Sequence, residues 1–193
     1  METYKNLKKG TKVGLLITAV LTVLGLIGII FDAVAMLPHS LDVPSPYAWI
    51  HVVLAVIMYL TVLTYALVGY VKPYGNTLKR AFVVFAICVL VQGIIPNAPM
   101  NATADIMLKI FAGLGAMVII YISGRLNKIE KNRKLMVLAG LLIVAGKCIV
   151  VFGPHFDILK AIDTLSEPIV WAALCFAYVA RFEEHKAAGL EDK

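Results

Sequence analysis

KLMVLAGLLIVAGKCIVVFGPHFD, residues 134–157, is apolar from Leu135 to Gly153 except for a single lysine, Lys147. A run of that length without period-2 alternation reads as a helix and not as a barrel strand. Roughly 20 apolar residues are what the hydrocarbon of a bilayer demands. Lys147 falls about two turns before the run ends, and Pro154, which cannot continue a helix, closes it. FDAVAMLPHS, residues 31–40, repeats the layout, with Asp32 in the place of Lys147 and Pro38 in the place of Pro154. Two apolar helices, each with one ionisable group near the same end, set the terms for reading the rest of the chain.

Composition points the same way. The 193 residues are 61% hydrophobic and 16% charged, with mean hydropathy +0.87, whereas soluble domains run about 45–50% apolar and about 25% charged. Segments 12–37, 48–71, 80–96, 106–124, 135–153 and 161–182 are each apolar enough to be a candidate span, the third being short and the sixth polar at its start. The first run, of about 25 residues, exceeds a signal-peptide core, and no small-residue cleavage site follows it. The expectation is an all-α integral membrane protein of six transmembrane helices arranged as three hairpins. Residues 1–182 would form one domain and residues 183–193 a flexible charged tail.

Charge placement tests the count independently. All the lysines and arginines except Lys109, Lys147 and Lys160 fall in alternate gaps: before the first span, after the second, after the fourth and after the sixth. The positive-inside rule then puts both termini in the cytoplasm of a multi-pass plasma-membrane protein. The net charge of +6 is explained by topology and calls for no nucleic-acid partner. Contact with anionic lipid is a second use of the same residues.

Each outgoing helix carries a polar residue shortly before its closing proline: Asp32, Gln92 and Lys147. The returning helices begin with His51, Lys109 and Glu167. At about 1.5 Å per residue, all six lie within roughly 10 Å of the outer end of their helix. An ionisable residue in a span usually turns inward to a partner or to water. The six are therefore expected to line an outward-facing polar pocket, with Asp32 and Lys147 on opposing walls. The bland alternative is that Lys147 snorkels to the headgroups and that Asp32 meets interfacial water. Lys160, Asp163 and Glu167 fall at i, i+3 and i+7 and share a helix face that Trp171 continues. Trp49 and Trp171 read as an outer aromatic belt, and Tyr74, Tyr178 and Phe182 as part of an inner one.

Small residues provide for close helix approach: Gly14, Thr18 and Thr22 on the first helix, Gly113 and Gly115 on the fourth. The sequence leaves open whether these faces meet another helix, a second copy or a partner membrane subunit. Cys88, Cys148 and Cys175 stand without CxxC spacing and read as small apolar fillers. His39, His51 and His155 show no metal-ligand spacing, so no metal and no cofactor is assigned. No GxSxG elbow, HExxH or phosphate loop occurs, and no enzyme activity is expected.

The chemistry of the six polar residues suits a small polar or weakly acidic solute, which gives a transport or substrate-binding protein. The alternative is a non-catalytic assembly or accessory protein in which Asp32 and Lys147 form a closed internal pair. A haem held by His51 and a loop histidine, or an unfamiliar membrane enzyme, comes third. In length, number of spans and internal termini the layout is similar to the membrane substrate-capture subunits of energy-coupling-factor vitamin importers. Their glycine- and proline-rich signatures and alanine-rich first-helix stripe are not evident here, so the likeness is one of layout and no family is assigned.

Overall fold

The computed structural model describes residues 46–68, 74–95, 101–151 and 167–179, together with Phe182 and scattered positions between 12 and 30. Among these residues the protein is all helix, joined by short turns, with no strand. The described positions between 12 and 30 are helical (α1). They are followed by α2 (Pro46–Val68), α3 (Tyr74–Ile94), α4 (Ala102–Ser123) and α5 (Ile129–Val151), and by α6 (Glu167–Val179).

Two helix boundaries differ from the sequence expectation for one reason. The expected third span begins at 80 and the fifth at 135, because Lys79, Lys131, Arg133 and Lys134 mark the gaps before them. The helices in fact start at Tyr74 and Ile129. Lysine and arginine are good helix formers, so basic residues that end an apolar run need not end the helix. The third helix is thus 21 residues long and no longer short. α4 begins where Asn101 caps it, its side chain accepting a 2.8 Å hydrogen bond from the Ala104 N–H.

The buried faces follow helical spacing. On α3 the stripe is Leu78, Phe82, Phe85, Val89 and Gln92; on α5 it is Asn132, Met136, Ala139 and Ile143; on α6 it is Glu167, Trp171, Leu174 and Tyr178. α6 lies against both α3 and α5. Trp171 meets Phe82 edge-on, centroids 5.5 Å apart, and Phe85 in a tilted contact at 5.4 Å. Its indole N–H donates to the Met136 carbonyl at 3.0 Å. Tyr178 meets Phe82 edge-on at 5.7 Å. Such pairs contribute about 0.5–1.5 kcal/mol each beyond the area they bury. The expectation that Trp171 and Tyr178 belong to aromatic belts is corrected by their burial, because each has a polar handle satisfied inside the bundle. Trp49 does stand exposed.

The described surface carries many large apolar side chains, and a few polar ones are buried with the apolar core. Large apolar side chains face outward on α1, α3, α4 and α5, among them Leu16, Ile87, Met117 at 60% exposure and Val137 at 64%. Gln92, Asn132 and Glu167 face inward. By length and composition α4 can cross a bilayer, and α6 is a shorter apolar helix among the described residues.

Close approach of α3 and α4 depends on Gly93. A Cβ there would stand 2.1 Å from the Cβ of Ala112, so the backbones must separate to admit it. Gly113, expected to serve close packing, has nothing within 4 Å of a built Cβ. Gly93→Ala is therefore expected to lower stability in detergent by about 1–3 kcal/mol. Gly113→Ala should stay within about 0.5 kcal/mol, and thermal unfolding of the two variants side by side checks the contrast.

Candidate functional site

The three stripes share an organisation: apolar in the middle and polar toward an end. On α5, Asn132 and Lys147 are fifteen positions apart, hence about 22 Å. α6 runs the other way, with Tyr178 near Asn132 and Glu167 near Lys147. The Phe82, Phe85 and Trp171 rings fill the space between. Two polar clusters thus clamp one aromatic core.

The first cluster joins α6 to the α4–α5 turn. Asn132 Nδ2 donates to the Arg125 carbonyl at 2.7 Å and to the Tyr178 hydroxyl at 2.9 Å. The hydroxyl in turn donates to the Leu126 carbonyl at 2.5 Å. The turn's carbonyls, which no helix ladder satisfies, are met by buried donors. Every group in this cluster has a partner within the protein, and its work is structural.

The second cluster is ionic. Lys147 on α5 pairs through Nζ with Oε2 of Glu167 on α6, and donates to Gln92 Oε1 on α3 at 3.3 Å. Three helices meet at one ammonium. The Glu167 side chain is 4% exposed and that of Lys147 is 23% exposed, so the carboxylate is enclosed and the ammonium can still be approached. Cys88, one turn below Gln92 on α3, is buried, as are Val170 and Trp171 on α6. In such surroundings the effective dielectric is low, which strengthens the pair and makes either partner costly if left alone.

Of the six residues expected to line a pocket, Gln92, Lys147 and Glu167 are brought together. Lys109 stands apart: it is exposed on α4 and pairs with Asp105 on its own helix at 2.6 Å, an i, i+4 bridge. His51 lies on α2, but its side chain is outside the described residues, and Asp32 is outside them altogether. Lys147 does turn inward, and its observed counter-ion is Glu167. Asn132 and Tyr178 were not foreseen as partners. Asn132 lies within the basic stretch KNRK, ahead of the expected fifth span, although 132, 136, 139, 143 and 147 form one helical stripe that places it on the buried face.

Among the described residues no group of His, Cys, Asp and Glu is placed to hold a metal. No family model matches the chain, and neither does any curated protein or solved structure. The chemistry of the cluster has to be read from its own atoms. It can hold one positive and one negative charge in balance, with a carboxamide at the side.

Removing one partner strands the other in the bundle. Glu167→Leu is expected to cost about 3–5 kcal/mol, and the Lys147→Met, Glu167→Leu double variant to recover most of that loss. Thermal unfolding across the double-mutant cycle checks it; a double variant as unstable as the sum of the singles would show that the pair is not coupled.

Proposed function

We propose that this chain is a six-span protein of the plasma membrane, with both termini cytoplasmic, that binds a small polar or weakly acidic solute at Gln92, Lys147 and Glu167 from the outer side. Support for the membrane reading comes from the apolar surface. An exterior of isoleucine, leucine, valine and methionine is costly in water and ordinary in lipid, where ionisable groups turn inward. The distance of about 22 Å between the two polar clusters also fits inside a hydrocarbon layer of about 30 Å. Orientation rests on the charge asymmetry between the gaps.

The single observation that carries the functional reading is the Lys147 side chain, aimed inward at Glu167 and Gln92 while still partly exposed. Ionisable groups inside a span mark pathways and binding sites by default. A solute carboxylate can take a place beside the ammonium, with the Gln92 carboxamide to orient it. The direct pairing of Lys147 with Glu167 favours a second reading, in which the ion pair locks α5 to α6 and the protein serves as a non-catalytic accessory subunit.

Two measurements test the membrane reading and a third separates the two functions. The protein should remain in carbonate-washed membranes, and a green fluorescent protein fused at its C-terminus should fluoresce in the cytoplasm. Native mass spectrometry from mild detergent should find a small molecule on the wild type. The same molecule should be absent from the Lys147→Met, Glu167→Leu double variant, which reports the site alone once thermal unfolding shows that it keeps the fold. An empty wild type with an intact double variant supports the lock.

A further inference from the structure

The two ends of the bundle differ sharply in free charge. At one end the described cations are engaged: Lys147 with Glu167, and Lys109 with Asp105. At the other, Lys79 and Arg80 of α3, Arg125 and Lys128 of the α4–α5 turn, and Lys131 and Lys134 of α5 are all exposed. These belong to a single end, because Phe82 touches Tyr178, whose hydroxyl reaches the Leu126 carbonyl. That contact puts the start of α3 beside the turn. Glu130 is the acid that stands among them on the turn and the first residues of α5.

The apolar exterior begins within about one turn of these cations. Met117, Ile120 and Tyr121 on α4 and Val137 and Leu138 on α5 are exposed. The Arg125 guanidinium rests over the Tyr121 ring, 4.5 Å from its centroid, which holds it at the boundary between the two zones. A free anion would need the cations alone. A phospholipid matches both zones at once, its acyl chains against the apolar band and its phosphate against the basic rim.

We propose that this rim binds anionic phospholipids in preference to zwitterionic ones, with Arg125, Lys128 and Lys131 as the principal headgroup contacts. The proposal rests on the membrane reading and not on the solute site, and membrane residence is tested separately by the carbonate wash. Each basic residue near an anionic headgroup is worth about fivefold in affinity. Simple charge attraction of this kind also weakens as salt screens it.

The test uses the purified chain in mild detergent with equal amounts of phosphatidylglycerol and phosphatidylcholine of identical acyl chains, read by native mass spectrometry. Phosphatidylglycerol adducts should dominate on the wild type. The Arg125→Gln, Lys128→Gln, Lys131→Gln variant should lose that preference by at least about tenfold, and Lys109→Gln at the other end should keep it. Should the triple variant fail to fold, a salt titration on the wild type decides, since the preference must fall as sodium chloride rises. Equal retention of the two lipids, a preference unchanged by the triple substitution or by salt, or displacement of the lipid by soluble glycerol phosphate at equal concentration would each overturn the proposal.

Discussion

A charge carried into a helix bundle of low dielectric has to find its opposite there or be left in an environment that penalises it by several kcal/mol. The pair formed by Lys147 and Glu167 meets that constraint, and much of the arrangement of α3, α5 and α6 follows from it. Glu167 opens the described part of α6, so fixing its carboxylate on α5 fixes one end of that helix. Gln92 adds α3 to the same point. The other end of α6 is fixed by the Tyr178 hydroxyl on Leu126 and Asn132. A helix pinned at both ends by directional bonds cannot slide or rotate, and the Phe82, Phe85 and Trp171 rings between the pins then have one register in which to pack. In lipid, where tails are as apolar as the side chains, hydrophobic burial alone does not choose among helix rotations. Directional polar contacts supply that choice.

The direction of the Lys147 side chain has a simple origin. Side chains in an α-helix lean toward its N-terminus, and the N-terminus of α5 is at the basic end of the bundle. A lysine near the far end of such a helix leans back into the structure. Snorkelling to the nearer headgroups would oppose that lean, whereas reaching Glu167 follows it. The lysine stem also closes a gap. Asn132 and Lys147 are about 22 Å apart along α5, while their partners Tyr178 and Glu167 are eleven positions, or about 16 Å, apart on α6. A long flexible side chain can bridge the difference, which a short one such as aspartate could not.

Much of this was legible in the residues. The helical class follows from apolar runs too long for strands, and the involvement of Gln92, Lys147 and Glu167 follows from their shared depth on separate helices. What could not be read was the pairing. Depth along a helix is set by counting residues, but rotation about its axis requires a moment, and these helices are apolar nearly all round. Depth alone sets Asp32 opposite Lys147, whereas the carboxylate that meets the lysine is that of Glu167, and Asp32 lies outside the described residues. Lys109 shared the depth and faces outward to Asp105. Tyr178 and Trp171 were misassigned by the same blindness to rotation: an aromatic residue near a span end suits a belt or a core, and only its azimuth decides.

The division of labour between the two clusters narrows where binding can occur. The cluster of Asn132 and Tyr178 is neutral and closed, and its terminal acceptors are the Arg125 and Leu126 carbonyls, which no solute could replace without unfolding the turn. The ionic cluster is built from three side chains, each on a different helix, with no backbone group among its bonds. Its members can exchange partners while every helix keeps its own ladder of hydrogen bonds. A carboxylate arriving at Lys147 would substitute for one side-chain contact and leave the fold's polar pins at the other end intact. If the chain binds a solute as proposed, the end that carries mixed charge is where side-chain contacts could be exchanged while Asn132 and Tyr178 still hold the other end of α6.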